Sequence, residues 1–330
     1  YVLELAGQDD RFATAEAATA ASDCEVVAPG LALAGAIDPD RIAGLAYTHR
    51  ASELIGRTDA SIERAETVLE TAPLDRTGSV AVRARDVRST AGIDTREAER
   101  ALGDILVDRG FTIDLESPDT ELRALFADDI CTVGWLVVES ERDYSVRAPT
   151  DKPFFQPGSM DPLDARAVAN LAGAAPAVTL FDPMCGTGGI LVEAGLRGAT
   201  VIGADAQPRM VAGTRTNLEH YLETPPAVFL ADAGRLPLRD GAVDAVVFDT
   251  PYGRQSKIAG RSAEALVSAA LREAYRVASR AVVMGDRPLE AQATDAGWTV
   301  AAIYDRPVHR SLTRYVHVLD RPACAIVRSR

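Results

Sequence analysis

Lysine is almost absent. Of 35 basic residues only Lys152 and Lys257 are lysine; the other 33 are arginine. Acidic residues outnumber basic ones, 48 to 35, and the net charge is −13. Excess carboxylate with so little lysine suits a halophile's cytoplasm, where dense salt screens self-repulsion. A GC-rich genome that trades lysine for arginine produces the same bias. The sum argues against a globally basic nucleic-acid binder. It leaves room for a local arginine patch, because at molar salt the counterion-release contribution weakens. Long apolar runs are missing as well. None approaches about 18 residues, so no membrane-spanning helix is expected. No charged-then-apolar leader precedes the first element, which predicts no secretion, and the lack of Met before Tyr1 suggests that a few residues are missing. The cysteines (Cys24, Cys131, Cys185 and Cys324) show no C-x-x-C spacing and no histidine at ligand distance. A zinc site is not expected, and buried reduced thiols in a cytoplasmic protein are.

What is present suggests more than one domain. The chain has 330 residues and is 47% hydrophobic, enough for more than one core. Residues 1–6 alternate as a short strand, 10–21 read as an alanine-rich helix, and 24–33 as a strand interrupted at Pro29-Gly30. Asp38-Pro39 opens an element with Ile42, Leu45 and Ala46 at helical spacing. Residues 61–70 read as a helix capped by Thr58 or Asp59. Residues 80–87 then alternate, with Val80, Val82 and Ala84 on one face, Arg83 and Arg85 on the other, and Arg88 following. Residues 94–109 form a helix capped by Asp94 or Thr95, with Ala98, Leu102, Ile105 and Leu106 along its apolar line. Residues 111–115, 121–126 and 130–139 read as strands.

Prolines 149, 153 and 157 mark residues 149–158 as a linker. Its Phe154-Phe155 pair wants a surface to pack on. A helix is expected over 161–171. A short buried strand, 177–181, then runs into Asp182-Pro183-Met184-Cys185-Gly186-Thr187-Gly188-Gly189, with a helix over 190–196. Strand, glycine-rich turn and helix together let a backbone pass close to a ligand. The loop lacks Gly-Lys-Ser/Thr, so it is not a P-loop, and its glycine spacing is not the nicotinamide fingerprint. The second strand of this half ends at Asp205, about 20 residues on, where a carboxylate can accept from ribose hydroxyls. The third leads to Asp232, placed for an adenine amine. The fourth, Ala245-Val246-Val247-Phe248, ends at Asp249, followed by Thr250-Pro251-Tyr252. One aspartate at a strand end is ordinarily a turn or cap residue. Four in succession around one glycine loop mark a ligand site.

Residues 182–188 resemble the donor loop of class I S-adenosylmethionine-dependent methyltransferases, with Asp205 and Asp232 where that family's ribose- and adenine-binding acids lie. Asp249-Thr250-Pro251-Tyr252 is similar to the (Asp/Asn)-Pro-Pro-(Tyr/Phe) motif of enzymes that methylate exocyclic amines, and departs from it at Thr250. Val80, Arg83 and Arg85 with Pro118-Asp119-Thr120-Glu121-Leu122-Arg123 resemble a THUMP domain, an RNA-binding module that a ferredoxin-like segment precedes. Pro153-Phe154-Phe155-Gln156-Pro157-Gly158, Tyr252-Gly253-Arg254-Gln255-Ser256 and His309-Arg310-Ser311-Leu312-Thr313-Arg314 resemble the archaeal family that methylates N2 of guanosine 10 in tRNA.

These resemblances imply an α/β chain. A ferredoxin-like α+β segment would span 1–58, a THUMP domain 59–147 and a linker 148–162. A Rossmann-like methyltransferase domain would fill 163–330, its mostly parallel sheet closed by an antiparallel hairpin over 300–304 and 315–319. They imply S-adenosylmethionine as cofactor, held by Phe155, Pro157, Asp182, Met184, Cys185, Gly186, Gly188, Asp205, Asp232 and Asp249. Catalysis would fall to Asp249, Pro251 and Tyr252. Arg83, Arg85, Arg88, Arg254 and Lys257 would contact tRNA. The implied activity is mono- or dimethylation of guanosine N2 by a cytoplasmic monomer that uses no metal. Two rivals stand beside it: an N2-guanine methyltransferase for another tRNA or rRNA position, and an RNA-binding protein with a vestigial donor site. The intact loop and four acids speak against the second. Cys185 invites cytosine-5 chemistry, but the corner holds Thr-Pro-Tyr where that reaction needs a nucleophilic cysteine.

Overall fold

The computed structural model describes residues 1–224, 227–251, 262–309 and 312–322. The chain divides into two compact units, Tyr1–Arg142 and Asp143–Arg330. In the first, chain order runs β1 (Val2–Leu5), α1 (Asp10–Ala17), β2 (Glu25–Ala28), β3 (Leu31–Leu33), α2 (Pro39–Ile42), β4 (Thr48–Asp59), α3 (Ile62–Thr71), β5 (Ser79–Asp86), α4 (Thr95–Asp108), β6 (Thr112–Ile113), β7 (Thr120–Ala127) and β8 (Ile130–Glu139). The strands make one sheet in the order β2-β3-β1-β4-β8-β7-β5-β6.

β4 is the strand that sequence periodicity does not announce. Register shifts between Ala51 and Ser52 and between Leu54 and Gly56 re-phase its side chains, so residues 48–59 never show clean alternation. It pairs with β1 on one side and β8 on the other. Residues on either side of position 58 therefore share one sheet. The helical spacing at Ile42, Leu45 and Ala46 yields only the single turn of α2 before the chain enters β4. The α3 cap is Ser61, whose hydroxyl accepts from Arg64 N at 3.2 Å; Thr58 and Asp59 belong to β4. Of residues 111–115, only Thr112 and Ile113 pair as a strand. Leu102, Leu106, Leu122, Phe126 and Trp135 form the core beneath α3 and α4, each stabilising by about 1.5–3 kcal/mol where fully buried. A buried ion pair links β1 to β7: Arg123 donates to both oxygens of Glu4, at 2.9 and 2.8 Å.

The second unit contains α5 (Pro162–Leu171), β9 (Thr179–Asp182), α6 (Gly189–Leu196), β10 (Thr200–Asp205), α7 (Pro208–Tyr221), β11 (Ala227–Leu230), β12 (Ala245–Asp249), α8 (Ala263–Val277), β13 (Arg280–Gly285), α9 (Glu290–Asp295), β14 (Thr299–His309) and β15 (Leu312–Asp320). The sheet order is β11-β10-β9-β12-β13-β15-β14. β9 to β13 are parallel, and β15 lies antiparallel between β13 and β14, as expected of the terminal hairpin. Phe181, Val246, Phe248, Leu271 and Val283 pack the core. The chain steps outward from β9 in one direction, then restarts beside it at β12. That reversal opens a crevice at the carboxyl ends of β9 and β12.

Residues 143–152 are fixed to this unit by charge. Arg147 donates to Glu193 at 2.7 Å and Arg166 pairs with the same carboxylate at 2.8 Å, all three side chains being buried. The Tyr144 ring lies 5.6 and 5.8 Å from the two guanidinium groups. Lys152 is buried beside them, and burial lowers its pKa. Glu193→Gln removes the charge that neutralises two buried arginines. The expected loss of stability is about 3–5 kcal/mol, measured by urea unfolding followed by circular dichroism. A loss below about 1 kcal/mol, the size of a surface ion pair, contradicts that role for Glu193.

Candidate active site

Two cavities meet in the crevice. The larger, about 530 Å³, is lined by Asp205, Asp232 and Asp249, with Leu230, Ala231 and Leu266 as apolar wall. The smaller, about 360 Å³, is lined by residues 156–160 together with Asp182, Cys185, Gly186, Thr187 and Met210. Met184, Gln207, Asp249 and Pro251 line both. Together the cavities form a two-lobed space, one lobe apolar and rimmed by acids, the other lined by the glycine loop. The donor loop is built for close approach. Gly186 has φ +54°, and within 4 Å of an added Cβ there would be only Met184 O. Gly188 has φ +77°, and a Cβ there would meet Thr214 at 2.8 Å.

Each acid is held by its local backbone. Asp182 accepts from Met184 N at 2.9 Å. Asp205 accepts from Gly186 N at 3.1 Å and Gln207 N at 2.9 Å, and a carboxylate has lone pairs beyond these two. Asp232 lies just past β11 and accepts from Gly234 N at 2.8 Å. Asp249 ends β12 and faces Arg314 of β15, Nε to Oδ2 3.3 Å. Burial pushes the Asp182 carboxyl well above its usual range, and the charges of Asp205 and Asp249 push it further. Burial raises Asp205 despite its backbone donors. Asp249 is pushed up to about 7, chiefly by burial, with Arg314 pulling it down and Asp286 adding to the rise. Burial also raises the Cys185 thiol, which argues against a thiolate nucleophile.

The corner after Asp249 explains the missing first proline. Thr250 is buried and its N–H donates to Met284 O at 2.9 Å, extending the pairing of β12 with β13 by one residue. Proline at 250 could not make that bond. Tyr252, Arg254 and Lys257 lie outside the described residues.

The segment over 153–159 is tied down on the donor loop. Asn217 of α7 is fully buried; it accepts from Phe154 N and donates to the carbonyls of Phe154 and Thr187, each at 2.8 Å. The Phe154 ring lies over Gly213, where a Cβ would come within 2.1 Å. Ser159 and Thr187 hydroxyls are 3.1 Å apart. Pro157 lines the smaller cavity. Phe155 is 41% exposed and lines neither cavity. Gly188 lines neither cavity, and its N–H donates to Cys185 O at 2.7 Å. Asn217 and Thr214 were not singled out from sequence, and Arg314 enters there only as the end of the 309–314 stretch, with no role. The first two share a helical face with Gly213 and Leu218, and two polar residues on that face were the available signal.

Of the residues expected to meet RNA, Arg83, Arg85 and Arg88 lie in the first unit, each with an internal partner. Arg83 donates to Leu115 O at 2.8 Å. Arg85 reaches Glu4 at 3.4 Å and is half exposed. Arg88 makes two hydrogen bonds to Asp10, at 2.5 and 3.1 Å. Among the described residues no helix is long and apolar enough to cross a membrane, and no three His, Cys, Asp or Glu are grouped to hold a metal ion.

Residues 149–315 match the family model described as UPF0020, RMKL-like, methyltransferase domain. The tRNA (guanine(10)-N2)-dimethyltransferase of Methanothermobacter thermautotrophicus is 39% identical over 284 residues, covering 84% of this chain and 83% of that one. The protein of the same name from Methanocaldococcus jannaschii is 31% identical over 260 residues, covering 75% and 72%. The crystal structure of TrmN from Thermus thermophilus shares the fold, with a TM-score of 0.50 at 21% identity, covering 97% of this chain and 100% of that one.

Arg314→Met tests the electrostatics of the corner. Removing the guanidinium withdraws the attraction that holds Asp249 ionised, so its carboxyl should titrate about one pH unit or more higher than in the wild type. Carboxyl carbon NMR on aspartate-labelled protein reads that midpoint. An unchanged or lower midpoint contradicts the pairing.

Proposed function

The chain belongs to the family of tRNA (guanine(10)-N2)-dimethyltransferases, and from that premise we propose that its target is guanosine 10 of tRNA, with one or two methyl groups passed from S-adenosylmethionine to the N2 amine. The observation that carries this reading is the corner at Asp249, Thr250 and Pro251, where Asp249 and Pro251 line both lobes of the donor cavity.

The guanine amine is a weak nucleophile because its lone pair is delocalised into the ring. Acceptors on its two N–H groups oppose that delocalisation. The Asp249 carboxylate is one acceptor and the Thr250 carbonyl the other. The Thr250 bond to Met284 and the fixed φ of Pro251 aim them. Asp205 and Asp232 would hold ribose and adenine, while Asp182 and the Gly186 loop would cradle the amino-acid tail. When bound, the donor supplies an electrophilic methyl on a cationic sulfur, which suits a cavity lined by buried carboxylates. The remaining work is placement of amine and methyl in line. Tyr252, on sequence grounds, offers a stacking face for the base, worth about 1–3 kcal/mol. A base paired in folded RNA has to leave its stack to reach such a corner.

The first unit is the proposed RNA-binding module. Its support is the THUMP-like pattern and the cluster of Arg83, Arg85 and Arg88 at one end of β5. We further propose a monomer working in a salt-rich cytoplasm, from the scarcity of lysine and the excess of carboxylate.

Asp249→Ala is expected to slow methyl transfer to tRNA more than about a hundredfold, the scale of losing one preorganised transition-state contact. S-adenosylmethionine binding, by calorimetry, should stay within about tenfold, or about 1.4 kcal/mol. Transfer at the wild-type rate overturns the catalytic assignment.

A further inference from the structure

The turn after β13, residues 286–289, borders the corner but lines neither donor lobe. A third cavity, about 250 Å³, opens there against Thr250, Pro251, Val267, Asp286, Arg287 and Leu289. Only Pro251 is shared with the donor lobes. The turn is held rigidly. Leu289 is buried and its N–H donates to His317 Nε2 at 2.9 Å. With Nε2 accepting, His317 Nδ1 carries the proton and donates to Val283 O at 3.0 Å. This imidazole is fully buried, and burial keeps it neutral. A fixed turn thus presents one exposed carboxylate and one exposed guanidinium to the side of the corner away from the donor lobes.

We propose that this cavity receives the target base and that Asp286 and Arg287 read its Watson–Crick edge as guanine. The proposal rests on the guanine-N2 reading above. Along that edge guanine shows the N2 amine, then N1–H, then O6: donor, donor, acceptor. The turn offers the Asp286 carboxylate and the Arg287 guanidinium, an acceptor and a donor; across Pro251, the residue this cavity shares with the donor lobes, stands the Asp249 carboxylate, a second acceptor for the amine. Adenine would set its N1 lone pair against a carboxylate. A site whose polar groups are left unpaired rejects the wrong ligand far more strongly than a site that merely lacks a contact. The charge of Asp286 also adds to the upward shift of the Asp249 carboxyl.

The test uses the full chain and two tRNAs, one with guanosine and one with 2-aminopurine at position 10. 2-Aminopurine keeps the 2-amine but has a lone pair at N1 and no O6. The wild type should prefer guanosine in kcat/KM by about a hundredfold or more. Asp286→Asn can donate to a bare N1, so that preference should fall at least about tenfold, one such contact's worth. Its S-adenosylmethionine affinity by calorimetry should be unchanged, which also reports an intact fold. Arg287→Met should slow guanosine methylation about tenfold and leave 2-aminopurine unaffected. An unchanged preference in Asp286→Asn, with guanosine still methylated by the wild type, overturns the role of the turn alone. A wild type inactive on both RNAs overturns the guanosine-10 assignment and this proposal with it.

Discussion

Three carboxylates crowd the ends of three neighbouring strands. Asp182, Asp205 and Asp249 close β9, β10 and β12, and burial raises the pKa of each. Like charges in a partly dry crevice repel, and the chain offsets only part of that cost. Backbone N–H groups from the donor loop hold Asp182 and Asp205, and Arg314 faces Asp249. What remains is a cavity whose acids a cationic ligand would help to ionise. A sulfonium donor satisfies that requirement in a way an anionic nucleotide does not.

Other features follow from keeping this cluster in place. The strap over 153–159 shields the donor loop and is locked by Asn217, which serves two carbonyls and one N–H from a position with no solvent to replace them. The antiparallel hairpin brings Arg314 across β13 to the corner, so an element late in the chain sets the charge on a residue 65 positions earlier. The same strand carries His317, which fixes the 286–289 turn. One strand thus serves both the ionisation of Asp249 and the shape of the space beside it.

The second unit was legible because its signals are local. Apolar runs of four or five residues, each ending in aspartate, and a glycine loop between two of them give β9 to β12 and their ligand edge without tertiary information. Cys131 and Cys185 are buried thiols, as their isolation in the sequence suggests, whereas Cys24 is only half-buried; Cys324 lies outside the described residues. The first unit was less legible where geometry is irregular or non-local. β4 carries two register shifts, which erase the alternation that reveals a strand. Arg85 reads as a free basic residue on an exposed face, yet its partner Glu4 lies 81 positions away on β1. Arg314 could not be tied to Asp249 from sequence, because that contact depends on the register of β15 against β13. Phe154 and Phe155 are adjacent and alike, and the bare backbone of Gly213 and the Asn217 bonds to the Phe154 backbone decide which ring packs.

The central claim is that the buried acids and the Asp249 corner together methylate a guanine amine in tRNA. Its most direct measurement is nucleoside mass spectrometry on an unmodified tRNA transcript incubated with the protein and methyl-labelled S-adenosylmethionine, with fragments mapped to position. The expected product is N2-methyl- or N2,N2-dimethylguanosine at position 10. Label found in adenosine or cytidine, or no label in tRNA at all, would contradict it.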